Sequence, residues 1–246
     1  MQSVASLGKI IVISPHLDDA VFACAGLIAG KPGTVVVTIF AGMPSDFAAY
    51  TSWDAASGFD SARQAVACRR DEDRNALEIL DAMPLWLDFL DSQYGCTPTV
   101  DSVADILKEI LRQHDPDTVM IPAGLFHSDH QLAHYAALAA RTCYPEKNWF
   151  SYEDAFYRRI PGLLQQRLVT LAVAKIVATP AAFGTTDRTE RKHHAVQCYA
   201  SQLQALAACH QTAYADVLAP ERYWGLMSHP TSSMSLSGDR QNDSAR

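Results

Sequence analysis

Two short clusters in the 246-residue chain hold the residue types that hydrolytic chemistry needs. His16-Leu17-Asp18-Asp19 follows an apolar run, and His127-Ser128-Asp129-His130 follows another. A catalytic zinc site takes three nitrogen or oxygen ligands and leaves a further position open for water. His16 and Asp19, at i and i+3, can converge on one ion from the first turn after a strand. The third ligand must come from another strand end, and the second cluster, with His134 one turn beyond it, is the obvious donor. Each cluster alone has a plainer reading as loop-capping polar residues, with Asp18 or Asp19 as a helix N-cap. Both together, each directly after a buried strand, favour a metal site. Adjacent carboxylates in a turn point differently, so one can ligate while the other serves as general base towards a water that zinc brings to a pKa of about 7. A second, non-coordinating histidine could, as imidazolium, steady an oxyanion and then protonate an amine leaving group. Asp129 beside it could hold that imidazole's tautomer and raise its pKa. These are the parts of a hydrolase for an amide or similar acyl bond.

The elements that must position these groups can be read in order. Lys9–Ile13 reads as a strand and Val21–Ala29 as a buried helix stopped by Gly30-Lys31-Pro32-Gly33. Thr34–Phe40 is apolar on both faces, as in the middle of a parallel sheet. Ala41–Phe59, with Met43, Phe47, Tyr50, Trp53 and Phe59, is long and irregular enough to be a lid or binding loop. Ser61–Leu80 is a helix whose apolar stripe contains Arg69 and Asp73. A charge on that face must be paired, for instance Arg69 with Asp73, or must point into a polar cavity. Leu85–Leu90 reads as a strand ended by Asp91-Ser92, Val100–Gln113 as an amphipathic helix, and Thr118–Ile121 as a strand followed by a helix through Arg141. Ser151–Tyr157 is expected to be a strand, Leu168–Val177 fits strand or helix, and Thr189–Cys209 is expected to be one helix. This alternation predicts an α/β, Rossmann-like three-layer fold with a mainly parallel sheet. Residues 1–227 are expected to form one domain, and residues 228–246 a flexible polar tail.

Composition narrows the partners. The net charge of −7 disfavours nucleic acid and anionic membrane as main partners. The six cysteines form no C-x-x-C pair, which argues against a thiolate zinc site or a disulfide framework and fits a reducing compartment. The first apolar run is short and leads into polar residues, so no signal peptide and no membrane span are expected, and a cytoplasmic location is. A nucleotide-binding module is disfavoured, because the turn after the first strand lacks G-x-G-x-x-G and carries two carboxylates where a pyrophosphate would approach.

Ser14-Pro15-His16-Leu17-Asp18-Asp19 and a small-residue helix resemble the P-H-x-D-D motif of the PIG-L/LmbE-like family of zinc-dependent de-N-acetylases, and His127-Ser128-Asp129-His130 is similar to that family's H-x-D-H motif. Weaker echoes are Arg69-Arg70-Asp71-Glu72 with Ala76 and Leu80, Leu87-Asp88-Phe89-Leu90-Asp91, Ser151-Tyr152-Glu153, and Lys192 with Tyr199-Ala200-Ser201-Gln202. The resemblance implies that His16, Asp19 and His130 ligate zinc and that Asp18 is the general base. It implies His127 as oxyanion stabiliser and acid with Asp129 as its partner, Arg69 binding substrate, and Asp91 bonding sugar hydroxyls. His134 is left structural, and His193 and His194 are read as solvated helix residues.

The chain departs from the family pattern at Leu17 and Ser128, where proline is frequent, at Ala20, where an acid is frequent, at Asp81, where glycine is usual, and at Leu125, where some members have tyrosine. None of these removes a ligand or the base. The implied substrate is a small N-acetyl or N-acyl amino sugar or glycoconjugate, and assembly into a homo-oligomer is compatible with the family. The alternatives are an amidase of the same fold acting on an antibiotic, lipid-linked or other conjugate, and a metal-binding subunit without catalysis. His/His/Asp ligation accepts zinc, iron(II) or cobalt.

Overall fold

The structure, a computed structural model, describes residues 4–45, 50–184, 189–208 and 213–228. The first strand, β1 (Ile10–Ser14), is buried along its whole length. It is flanked by β2 (Val35–Thr38) and β4 (Thr118–Pro122), both parallel to it, with β3 (Met83–Trp86) beyond β2 and β5 (Asn148–Tyr152) beyond β4. Two further strands, β6 (Ile176–Ala181) and β7 (Tyr223–Ser228), complete a seven-stranded sheet of order β3-β2-β1-β4-β5-β7-β6. β7 runs antiparallel to both its neighbours.

Side chains alternate across the pleat, so each strand feeds two cores. On one face Ile10, Val12, Val36 and Met120 pack with α1 (Asp19–Ile28), the end of α3 (Ala62–Ile79) and α7 (Thr189–Gln197). On the other face Ile11, Ile13, Val37, Val119 and Ile121 pack with α4 (Val100–His114) and α5 (Ser128–Arg141). The result is the expected three-layer α/β fold with a mainly parallel sheet. Strand order reverses between β1 and β4, and in such sheets the crevice outside the strand carboxyl ends at the reversal is where ligands bind. The two sequence clusters lie immediately after those two strands.

Several boundaries differ from the sequence reading. The strand expected over residues 85–90 lies at Met83–Trp86, and Asp88 keeps only a single bridge to Phe40. The strand expected over residues 151–157 ends at Tyr152, because the chain turns back at Asp154, whose carbonyl accepts from the N–H groups of Tyr157 and Arg158. The ambiguous segment is both structures in succession, α6 (Leu163–Val173) and then β6. The single helix expected over residues 189–209 is two, α7 and α8 (Ala200–Ala208); Cys209 lies outside the described residues. The helix tightens at Cys198 and Tyr199, whose N–H groups reach back three residues, and Glu72 then accepts from both the N–H and the hydroxyl of Ser201. Ser228, the expected start of the tail, is the last residue of β7, and residues 229–246 lie outside the described residues. In the long loop, Phe47 is likewise outside them, and α2 (Ser52–Ala56) is a helical turn closed by a Thr51–Asp54 capping box.

Candidate metal centre and active site

The turn after β1 is held from within. Ser14 Oγ donates to the His16 carbonyl at 2.7 Å and accepts from the Ala20 N–H at 3.0 Å, so one hydroxyl joins the strand end to α1. Asp18 stands at the N-cap position of α1 and makes no capping hydrogen bond. Its carboxyl instead lines the cavity at the sheet reversal. Asp19 lines the same cavity but is held by the imidazoles. Its Oδ2 lies 3.0 Å from the His16 N–H, 3.2 Å from His16 Nδ1 and 3.2 Å from His130 Nε2.

The loop after β4 needs two left-handed residues, Gly124 (φ +72°) and Phe126 (φ +59°). A Cβ at Gly124 would stand 2.6 Å from His134 Cβ, so the close approach of loop and α5 requires glycine there. His134 is a buried structural residue whose Nδ1 bonds the Pro122 carbonyl. His130 is buried in the first turn of α5, and its Nδ1 meets Asp154 Oδ1 at 2.6 Å. The other oxygen of Asp154 accepts from the Leu125 N–H at 2.9 Å, so one carboxylate fixes both the histidine and the loop. His127 is less buried. Its Nδ1 accepts from the Asp129 N–H at 3.2 Å, which leaves the ring proton of a neutral imidazole on Nε2.

One nitrogen of His16, one oxygen of Asp19 and one nitrogen of His130 lie within 4.8 Å of one another. The donor set fits a divalent cation. It supplies two imidazoles and a carboxylate, the ligand types of an open catalytic site. Each imidazole is backed on its far nitrogen by a second carboxylate, His130 by Asp154 and His16 by Asp129, whose Oδ2 is 3.1 Å from His16 Nε2. His16, His127 and Asp129 also approach closely enough for a metal, but in that grouping Asp129 already accepts from the Ser92 N–H at 3.0 Å. The carboxylate of Asp129 therefore serves His16, and its expected bond to His127 is made by its backbone N–H.

The charges of neighbouring residues diverge. Burial pushes the Asp18 carboxyl up to about 7, helped by the negative charge of Asp19 and opposed by His16 and His130. Asp19 is held far below the usual carboxylate range, because His130 and His16 outweigh its burial. Burial works against a charged His130, yet Asp19 and Asp154 raise it to about 9. Burial, with the positive charges of His16 and His130, lowers His127 despite the nearby Asp129. Asp129 acts in the expected direction, but burial and the two neighbouring imidazoles outweigh it.

The two expected substrate residues also line the cavity, but each has protein partners. Arg69 does not pair with Asp73. Its Nη2 donates to Asp54 at 3.0 Å and Ser57 at 3.3 Å, both in the loop of residues 41–59, and its guanidinium lies over the Phe59 ring. Asp73 instead accepts from Trp86 Nε1 at 2.7 Å and the Tyr199 hydroxyl at 2.8 Å. Asp91 accepts from the Gln93 N–H at 3.0 Å and stands 3.9 Å from His16 Nε2. The whole cavity is about 360 Å³, and its remaining wall is largely apolar and aromatic, with Phe40, Trp53, Val66, Tyr157, Tyr199 and Leu206 among the side chains.

The family model for GlcNAc-PI de-N-acetylase, PIG-L, matches residues 11–141, just over half of the chain and the span that carries both clusters. The chain belongs to the PIG-L family. Among curated protein sequences no match was found. Among solved structures, a triple mutant of the deacetylase Orf2 in the teicoplanin biosynthetic pathway superposes with a TM-score of 0.75 at 25% identity, covering 91% of this chain and 100% of that one. N,N'-diacetylchitobiose deacetylase from Pyrococcus horikoshii gives 0.54 at 18% identity, over 92% and 88% of the two chains. The 4-carboxy-2-hydroxymuconate hydratase GalB from Pseudomonas putida KT2440 gives 0.56 at 18% identity, over 97% and 100%. The last two likenesses show the fold alone, and the hydratase shows that this PIG-L-type fold carries more than one reaction.

Two residues of the PIG-L site escape a reading of the two clusters. Asp154 sits 24 positions beyond His130, and its only sequence signal is an acid just past a buried strand. Asp54 is hidden in the loop, and nothing local marks it as the partner of Arg69. Among the described residues no helix is long and apolar enough to cross a membrane.

Proposed function

We propose that the protein is a metal-dependent deacetylase that hydrolyses the N-acyl group of an amino sugar or glycoconjugate, with His16, Asp19 and His130 as the metal ligands. The observation that carries this reading is the separation of the two adjacent aspartates. Asp19 is enclosed by the two imidazoles, whereas Asp18 makes no capping bond and faces the cavity with a carboxyl poised near neutrality. A divalent cation, zinc in the first instance and iron(II) or cobalt equally compatible with the donor set, supplies Lewis acidity that acidifies water and polarises the acyl oxygen.

The chain's own groups do the rest. Asp18 accepts the proton of the attacking water and returns it to the departing nitrogen, so the product amine leaves neutral. His127, with Nδ1 occupied by the Asp129 N–H, presents Nε2–H as a hydrogen-bond donor to the developing oxyanion. Asp129 and Asp154 orient the two ligand imidazoles. Arg69 and Asp91 meet the substrate at the cavity wall, and Arg69 also ties the loop of residues 51–59 to that wall.

The apolar walls favour a substrate with a hydrophobic portion, such as an acylated sugar on an aglycone, over a bare monosaccharide. The related Orf2 has been crystallised in a zinc-inhibited form, so metal loading is a variable of the test and not a fixed condition. Screening N-acylated sugar conjugates by mass spectrometry with protein loaded separately with zinc, cobalt and iron(II) tests the reading. Release of free amine and carboxylic acid from at least one conjugate is expected. No amide cleavage with any of the three metals, together with water addition when an unsaturated carboxylic acid is included in the panel, would replace the deacetylase reading with a hydratase.

A further inference from the structure

On the other side of the loop after β4 lies a second cavity of about 240 Å³, enclosed by residues 124–126, by Gln131 and Tyr135 of α5, and by the first turns of α6. Three features of it point to one kind of ligand. Arg167 lines it and is only 8% exposed, yet among the described residues no carboxylate pairs with it. Its guanidinium donates to two neutral oxygens, the Gly124 carbonyl at 2.7 Å and the Tyr135 hydroxyl at 3.1 Å, and its buried Nε has no hydrogen-bond partner. Beyond these it has the Tyr135 ring, centred 5.0 Å from its guanidinium carbon, and among the described residues no counter-charge, and a buried cation without one is costly. The second feature is the start of α6. The N-cap is Gly162, no side chain caps the helix, and no acid lies in its first turn; the Leu163 and Gln166 N–H groups bond the Ile160 and Gly162 carbonyls, so the 11-residue helix brings its uncompensated positive end, and not free N–H groups, to the cavity. The third is the remaining lining. Gln131, Tyr135, Gln166 and Thr170 bring amide and hydroxyl groups, and no acidic residue lines the cavity.

We propose that this cavity is an oxyanion site that takes a carboxylate or a phosphate monoester. Arg167 supplies the counter-charge, the positive end of α6 adds a favourable field, and Gln166 and Tyr135 supply side-chain donors. Phe126 lines both this cavity and the candidate active site, so the anion can be an acidic group of the substrate itself or a free anion bound beside it.

The test uses the full, metal-loaded chain and inorganic phosphate as the probe. Calorimetric titration is expected to show saturable binding that weakens at least 10-fold in Arg167→Gln. Arg167 also braces the loop, so Gln166→Glu is the second variant. Gln166 is on the exposed side of the cavity, and a carboxylate there should abolish phosphate binding without affecting the fold, as checked by thermal melting. Wild-type affinity in both variants would overturn the site, as would phosphate binding that disappears only in His130→Ala, because the anion would then sit at the metal centre. The source is separated by kinetics on N-acetylglucosamine and its 6-phosphate. A preference for the phosphorylated sugar that Gln166→Glu removes assigns the site to substrate. Phosphate binding without such a preference assigns it to a free anion. Phosphate binding is read without turnover, so failure of the deacetylase reading leaves this result intact.

Discussion

The ends of β1 and β4 make the same kind of division by different means. After β1, two adjacent carboxylates part within a single turn, and Ser14 bonds both the His16 carbonyl and the Ala20 N–H to fix that turn. Asp19 goes to the imidazoles, and Asp18, on the same cavity, does not. After β4, two histidines three residues apart part in the same sense, but the loop needs left-handed residues at Gly124 and Phe126 and a carboxylate from beyond β5. His130 is raised to about 9 against the cost of burial by Asp19 and Asp154, whereas His127 is lowered. At each strand end one member of the pair is enclosed among opposite charges and suited to hold a cation. Both members of each pair line the cavity, but the other makes none of these ion pairs and is suited to move or share a proton. Environment, not residue type, assigns the work.

The comparison can be broken at several points. The largest effect is expected from removing the cation. Chelation should reduce amide hydrolysis to background, and reloading with a divalent metal should restore it; turnover that persists in verified metal-free protein would remove the role of the enclosed members altogether. Next is His127→Ala, which should keep its metal content and lose about 10²–10³-fold in kcat, the usual effect of deleting an oxyanion donor. Loss of metal in that variant would show that His127 belongs with His130. Asp154→Asn should weaken metal affinity about 10–100-fold, read by competition with a chromogenic chelator. An unchanged affinity would mean that the β4 end needs no outside support.

The smallest effect concerns Asp73, which lies behind the cavity wall. Burial pushes its carboxyl from 3.8 up to about 7, against hydrogen bonds from Trp86 and Tyr199. A carboxyl with a raised folded-state pKa keeps its proton on folding between those values, while the unfolded chain releases it. Its contribution to stability is therefore greatest at the acid side and falls as pH rises from about 4 to about 7. Asp73→Asn cannot titrate. The stability difference between wild type and variant, from urea unfolding, should shrink over that interval, and a difference independent of pH would contradict the raised pKa.

How much of this could be read beforehand follows the same contrast. The β1 end is local. A β-branched run, His16, two aspartates and a small-residue helix are contiguous, so strand, turn and candidate ligands were all legible. The β4 end was legible only in part. His130 stands next to its strand, but Asp154, which orients it, is brought by a different strand, and hydrophobic periodicity carries no information on such a pairing. Arg69 and Asp73 show the same boundary. Their place on the buried stripe was readable from spacing, but their partners Asp54, Trp86 and Tyr199 come from three other elements. The single helix expected over residues 189–209 failed for a similar reason. Its periodicity is continuous, and the break is made by Glu72 holding Ser201, a contact 129 residues away. The antiparallel β7 lies almost wholly before the expected polar tail, in a short stretch where no element was read, because its six residues show no clear period.

The division between Asp18 and Asp19 is the centre of the account, and Asp18→Asn tests it most directly, with metal content and kcat measured on the same preparation. The side chain keeps its size and loses its capacity to accept a proton. The expected result is a full complement of metal with kcat lowered about 10²–10⁴-fold. Full activity with full metal content, or loss of the metal itself, would contradict the division.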